Sequence, residues 1–178
     1  MTVPFVVLGM PRSRTFWISR YLSYRGRHCE HDPSRLFTSR LDIAERFRRP
    51  GYGAADTGLG MIWHEIGDLV PPDLRVAVVH RPIDDVKASA RATGIPLAND
   101  QWFIDFAARL DRIDGMHFEY ASLGRRPYAL TLFEHCLRER FDPEWWESLR
   151  DLNLQCNSAS YLSDAQRNLS GIRAVFGT

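Results

Sequence analysis

The segment Gly9-Met-Pro-Arg-Ser-Arg-Thr15 places a glycine, two arginines and two hydroxyls within seven residues. Those types suit an oxyanion. Successive backbone N–H groups at the start of a helix point at negative charge, and Arg12, Ser13 and Thr15 can add charge-assisted and neutral hydrogen bonds. The ATP-binding loop of nucleotide hydrolases, G-x-x-x-x-G-K-[ST], needs a second glycine and a lysine that this loop lacks. Lys87, the only lysine, lies far along the chain. That weighs against kinase and GTPase chemistry, and no acidic residue ending a buried strand offers itself as a magnesium partner. The alternative is an ordinary solvated turn. A second basic and hydroxyl pair lies downstream, where Arg81 follows the apolar run RVAVVH and Ser89 comes eight residues later. A strand end and the helix after it would bring both to one phosphate. Alternatively, Arg81 pairs with Asp84 or Asp85 and Ser89 is an unremarkable helix serine.

The elements that must position these residues read as alternating strands and helices. Residues 3–9 (VPFVVLG) form a continuous β-branched apolar run ending in glycine, the pattern of a buried parallel strand. The loop then opens a helix over 15–24. A helix over 41–47 stops at Pro50 and Gly51, and a short strand follows over 52–57. Helical spacing continues over 59–69 to Pro71 and Pro72, and residues 75–80 form another buried strand. Helices are predicted over 83–92, with Asp84 and Asp85 in the first turn, and over 99–113. A short strand over 117–120 precedes helices over 130–141 and 143–152; the tail after Asn153 supports no assignment. The pattern predicts a single domain over 1–178, a three-layer α/β fold in which helices cover both faces of a central parallel sheet.

In its loop the chain resembles the sulfotransferases that use 3′-phosphoadenosine 5′-phosphosulfate (PAPS), whose motif is P-[KR]-S-G-T-T-x. Pro11, Arg12, Ser13, Thr15 and Trp17 match; Arg14 stands where the family has glycine. Arginine in the basic position is as in the tyrosylprotein branch, and the tryptophan is as in the cytosolic branch. The family's 3′-phosphate site, a strand-end arginine with a serine eight residues on, resembles Arg81 and Ser89. The segment His117-Phe-Glu-Tyr-Ala-Ser-Leu123 is similar to the family's Y-E-x-L strand end. Neither Arg125-Arg126 nor Gly171-Ile172-Arg173 reproduces the family's later R-K-G clamp. The resemblance covers most of residues 5–150 and implies a P-loop-like fold. It also implies PAPS as sulfuryl donor, no metal, and a hydroxyl or amine on a small-molecule or polymer acceptor. Arg12, Ser13, Arg14 and Thr15 would hold the 5′-phosphosulfate, Arg81 and Ser89 the 3′-phosphate, and Trp17 would stack on adenine unless it packs in the core.

Sulfuryl transfer needs a base for the acceptor's proton and positive donors for the departing phosphate, the latter a role for Arg12. The cluster Cys29-Glu30-His31-Asp32, read as loop, supplies Glu30 as first candidate base and His31 as second. A solvated cluster paired with Arg25, Arg27 or Arg35 is the alternative. Asp56 and His64 are rival bases, the first otherwise a turn or helix cap and the second a structural histidine. Trp145-Trp146 reads as packing.

The charge pattern agrees with an anion site near the start of the chain. Of 23 basic residues 22 are arginine, and ten of them lie in residues 1–50 against four acids, although the whole chain of 178 residues carries only +1. A solvated arginine face would give the same count. No apolar run approaches the roughly 20 residues of a membrane span, and no basic leader precedes an apolar stretch. Cys29, Cys136 and Cys156 are too scattered for a disulfide scaffold or zinc module, which fits a reducing cytoplasm. The arginines are not interleaved with aromatics in one patch, so nucleic acid is not an expected partner. The competing readings are a magnesium-dependent phosphoryl transferase of the same layered fold and a non-catalytic nucleotide binder.

Overall fold

The computed structural model describes residues 3–95, 99–152 and 154. Cys156 and Gly171-Ile172-Arg173 lie outside the described residues. Five strands form one all-parallel sheet: β1 (Phe5–Gly9), β2 (Cys29–His31), β3 (Gly53–Asp56), β4 (Arg75–His80) and β5 (Met116–Glu119), in the order β2-β3-β1-β4-β5. Every residue of β1 is buried, as its unbroken apolar run requires of a central strand. Alternate residues feed two cores. Phe5 and Val7, with Ala77 and Val79, face α1 (Thr15–Leu22), α6 (Arg126–Leu137) and α7 (Pro143–Leu149). Val6 and Leu8, with Val76 and Val78, face α2 (Arg40–Phe47), α3 (Gly58–Ile62) and α5 (Asp100–Asp111). Val86 of α4 (Ile83–Ala92) joins the second core, so the fold has three layers, as the pattern predicts.

The chain leaves β1 toward one face through α1 and leaves β4 toward the other through α4. Adjacent parallel strands whose connections diverge open a crevice at their carboxyl ends, the usual ligand position in such sheets. Both sequence motifs follow these two strands.

Three predicted elements differ from the structure. The segment 59–69 is the short helix α3 followed by 3₁₀ turns at 63–65 and 67–69. Gly60 and Gly67 weaken a continuous helix, and Trp63 and Ile66 turn inward to the core. The helix expected over 130–141 begins at Arg126, with Pro127 in its first turn, and ends where Arg138 turns left-handed at φ 55°. Residues 29–31, read as loop, are the edge strand β2, paired in register with Gly53, Ala54 and Ala55. Three residues are too few for a periodicity signal, and only pairing to β3 reveals them.

Candidate functional site

Gly9 ends β1 where there is no room for a side chain. A Cβ there would meet the Val79 carbonyl oxygen at 3.2 Å and the Ser13 Cβ at 3.3 Å. The loop after it folds tightly, with Ser13 N–H donating to the Met10 carbonyl at 3.2 Å. Arg12 and Arg14 are both left-handed, at φ 67° and 64°. Non-glycine residues rarely adopt this region, and two of them one residue apart mark a strained loop of the kind concentrated at ligand sites. Arg14 thus holds a backbone conformation that glycine favours.

The loop draws in the second motif. Arg12 Nε donates to Ser89 Oγ at 3.2 Å, and Arg81 Nη1 donates to the Arg12 carbonyl oxygen. Arg81 therefore turns to the loop, not to Asp84 or Asp85. Its guanidinium lies over the Tyr120 ring at 4.2 Å, while Arg14 lies 5.0 Å from the Trp17 ring centre and 5.9 Å from that of Tyr120. Ser13 is fully buried, and neither its Oγ nor Arg81 Nε has a hydrogen-bond partner among the described residues. A buried polar group left unpaired costs about 1–3 kcal/mol, so two beside one loop indicate that something polar completes it.

His31 stands on the other side of the loop. Its Nε2 is 3.2 Å from Thr15 Oγ1 and 3.3 Å from Asp32 Oδ2. Burial is the main cause that lowers its pKa, the Asp32 carboxylate opposes it, and the Arg35 and Arg20 charges reinforce it. A neutral imidazole at this place can accept a proton, and Asp32 stabilises the cation that results. Asp32 Oδ1 in turn accepts from Thr57 N–H at 3.0 Å.

The strand alternation of β2 separates the two first-choice bases. Cys29 and His31 face α1, whereas Glu30 points to the opposite face and pairs with Arg46 of α2 at 2.5 Å. Its partner is none of the arginines near it in sequence. Asp56, a rival base or cap in the sequence, is a buried acid that ends β3. Its carboxylate accepts from Ser34 N–H and Leu59 N–H, each at 2.7 Å, which ties the turn 33–36 to the start of α3. Burial, then the neighbouring Asp32 charge, raises its pKa to about 7. His64 is exposed and contacts the Arg109 carbonyl at 3.0 Å, a link between the turn at 63–65 and α5. Trp17 lies in the core, stacked on Tyr21 and donating to the Leu149 carbonyl at 2.7 Å, so its ring is not presented to a ligand. Trp146 is buried and Trp145 Nε1 donates to the Tyr21 carbonyl at 2.9 Å, so the pair packs as expected.

Two residues at the site escaped sequence reasoning. Asp32 sat beside His31 in the charged cluster without a role, and its proximity was the available signal. Tyr120 follows β5, and nothing local says that β5 lies next to β4. No protein-family model matches the chain, and no curated protein or solved structure matches it significantly. Among the described residues no group of three or more His, Cys, Asp or Glu could hold a metal ion, and no helix is long and apolar enough to cross a membrane.

Proposed function

We propose that the chain is a PAPS-dependent sulfotransferase, moving a sulfuryl group to a hydroxyl or amine on a small-molecule or polymer acceptor. The observation that carries this reading is the convergence of Arg12, Ser89 and Arg81 on one crevice, beside the buried, unpaired Ser13 Oγ. A nucleotide with anionic groups at two positions suits a crevice with basic and hydroxyl groups on both walls. Ser13 Oγ and Arg81 Nε supply polar atoms for such a ligand, so the residues present fit it. In this reading Arg12, Ser13, Arg14 and Thr15 hold the 5′-phosphosulfate, and Arg81 and Ser89 hold the 3′-phosphate. PAPS supplies an activated sulfuryl group whose leaving phosphate gains charge as the bond breaks. Arg12 and the loop N–H groups neutralise that charge. His31, neutral and beside Asp32, is in this reading the base for the acceptor's proton. A cytoplasmic setting, which suits the free thiols of Cys29 and Cys136, belongs to the same proposal.

Calorimetric titration with 3′-phosphoadenosine 5′-phosphate in EDTA, beside ATP with and without magnesium, tests this. The expected result is metal-independent binding of the bisphosphate at roughly micromolar Kd or tighter. Magnesium-dependent ATP binding with none of the bisphosphate replaces the proposal with a phosphoryl transferase, in which the buried Asp56 at the end of β3 would need a role. Binding of neither nucleotide overturns both.

A further inference from the structure

A pair of histidines that the proposed mechanism does not use joins three elements at one edge of the sheet. β5, a four-residue strand at that edge, pairs with β4. His80 ends β4 and His117 lies in β5; their rings are within 10° of parallel, with 4.9 Å between centres. His80 Nε2 and His117 Nδ1 are 2.7 Å apart. Beyond each ring stands an acceptor. Asp111 Oδ1, at the end of α5, lies 3.3 Å from His80 Nδ1, and the Ile113 carbonyl oxygen lies 2.9 Å from His117 Nε2. The ring nitrogens thus form one row from a carboxylate to a carbonyl.

The protons that this row can hold follow from its order. A neutral imidazole carries one N–H and one bare nitrogen. With His117 Nε2–H donating to Ile113, His117 Nδ1 is bare and accepts from His80 Nε2–H, so two neutral rings close the row and leave His80 Nδ1 bare beside Asp111. The reverse direction would set a bare nitrogen against the Ile113 carbonyl. One added proton goes to His80 Nδ1, facing the Asp111 carboxylate, and the row stays closed. A second has only His117 Nδ1 to occupy, which sets N–H against N–H and cation against cation across 2.7 Å. The doubly charged pair cannot keep that contact. The surroundings act in the same sense: burial lowers the pKa of His80, Asp111 raises it, His117 lowers it and Glu119 raises it, with a lowered value as the result. A closed pair that resists charging is, by linkage, opened by charging.

The link lies one residue before the crevice. His80 precedes Arg81, and Glu119, its partner in register, precedes Tyr120, whose ring lies 4.2 Å from the Arg81 guanidinium.

We propose that His80 and His117 form an acid-sensitive clasp, closed while the pair carries no more than one added proton and opened by the second, which frees the end of β5 and loosens the wall of the crevice formed by Arg81 and Tyr120. The clasp stands on its own geometry; its effect on nucleotide binding rests on the transferase reading.

The test uses the full chain. The imidazole resonances of His80 and His117 and the backbone amides of Glu119 and Tyr120 are followed by NMR from about pH 8 to about pH 4.5. Two steps are expected, the second about one pH unit or more below the ordinary histidine value, with the β5 amides moving in the second alone. H80Q/H117N, in which amides that do not titrate replace the two facing nitrogens, should show no such movement. D111N, at an exposed position, should lower the midpoint of the first step. Affinity for 3′-phosphoadenosine 5′-phosphate should fall through the second step about threefold or more beyond any fall in H80Q/H117N. Independent titration of both rings near the ordinary value, β5 movement that persists in H80Q/H117N, or an unchanged first step in D111N overturns the clasp, and equal falls in affinity overturn its coupling to the crevice. Failure of the transferase reading shows differently, as the same β5 movement in a protein that binds no bisphosphate at any pH.

Discussion

The two ends of the sheet handle polar groups in opposite ways. At the amino end, Arg75 at the start of β4 donates to the His135 carbonyl, His135 Nε2 contacts the Val76 carbonyl at 3.1 Å, and the N–H of Arg75 bonds the Pro4 carbonyl at 3.0 Å. A broad hollow lined by Asp73, Arg75, Asp114 and Arg138 opens there, yet Arg75 and His135 on its wall are spent on backbone carbonyls of the protein itself. At the carboxyl end, Ser13 Oγ and Arg81 Nε are buried without partners among the described residues, and two arginines hold left-handed backbone in one loop. Satisfied polar groups secure a fold; unsatisfied ones beside strained backbone make a place for a ligand. The charged residues of the two ends are alike in type and differ in what they are left to bind.

Breaking the carboxyl end should cost function without folding, and the largest effect should fall on His31. H31Q should lower the single-turnover rate of sulfuryl transfer about 10²- to 10⁴-fold, the usual worth of a positioned base. Its affinity for 3′-phosphoadenosine 5′-phosphate should stay within about threefold of wild type, and a parallel loss of affinity would assign His31 to binding. R81A should weaken the bisphosphate about 10- to 100-fold while sparing AMP, since a charge-assisted contact contributes about 1.5–3 kcal/mol. Equal losses for both nucleotides would remove the 3′-phosphate from Arg81. The amino end provides the contrast: R75A should lower Tm and leave both nucleotide affinities unchanged.

Asp56 sharpens the comparison through pH. Its pKa is raised to about 7 in the folded chain from an ordinary value of 3.8, so the folded state holds a proton that the unfolded state has lost. Stability contributed by that proton is full below the unfolded value and falls as pH rises toward 7, at no more than about 1.4 kcal/mol per pH unit. The lowered pKa of His31 works in the opposite direction near its own titration. The difference in unfolding free energy between wild type and D56N isolates the carboxyl: the advantage of wild type should shrink between pH 4 and pH 7. A constant difference would mean that Asp56 is ionised throughout. The smallest effect is expected of R14G, which relieves a left-handed arginine but loses its contacts with Trp17 and Tyr120. Its unfolding free energy should remain within about 1 kcal/mol of wild type in urea denaturation.

Local chemistry was legible wherever a long signal existed. The buried runs of β1 and β4 read directly, because a strand covered on both faces must be apolar at every position. The boundaries of α4 read equally well from Pro82 and the acids at 84 and 85. The partnership of Arg12, Arg81 and Ser89 was readable as spacing, and the structure supplies the contacts between them. Glu30 against His31 was not readable. In a loop the two are equivalent, but in a strand they point to opposite faces, and the strand exists only because β3 offers it hydrogen bonds. Asp32 and Tyr120 were hidden for the same reason: each follows the end of a different edge strand.

The sequence by itself therefore determined the layered α/β class and the composition of the loop after β1, since apolar runs, glycine and helix-start chemistry are local properties. Which face each side chain joins, which acid meets His31, and that Arg81 lies over Tyr120 were decided by strand order and register. Those follow from the packing of β2 and β5 at the two edges of the sheet, contacts between residues far apart in the chain that no local pattern encodes.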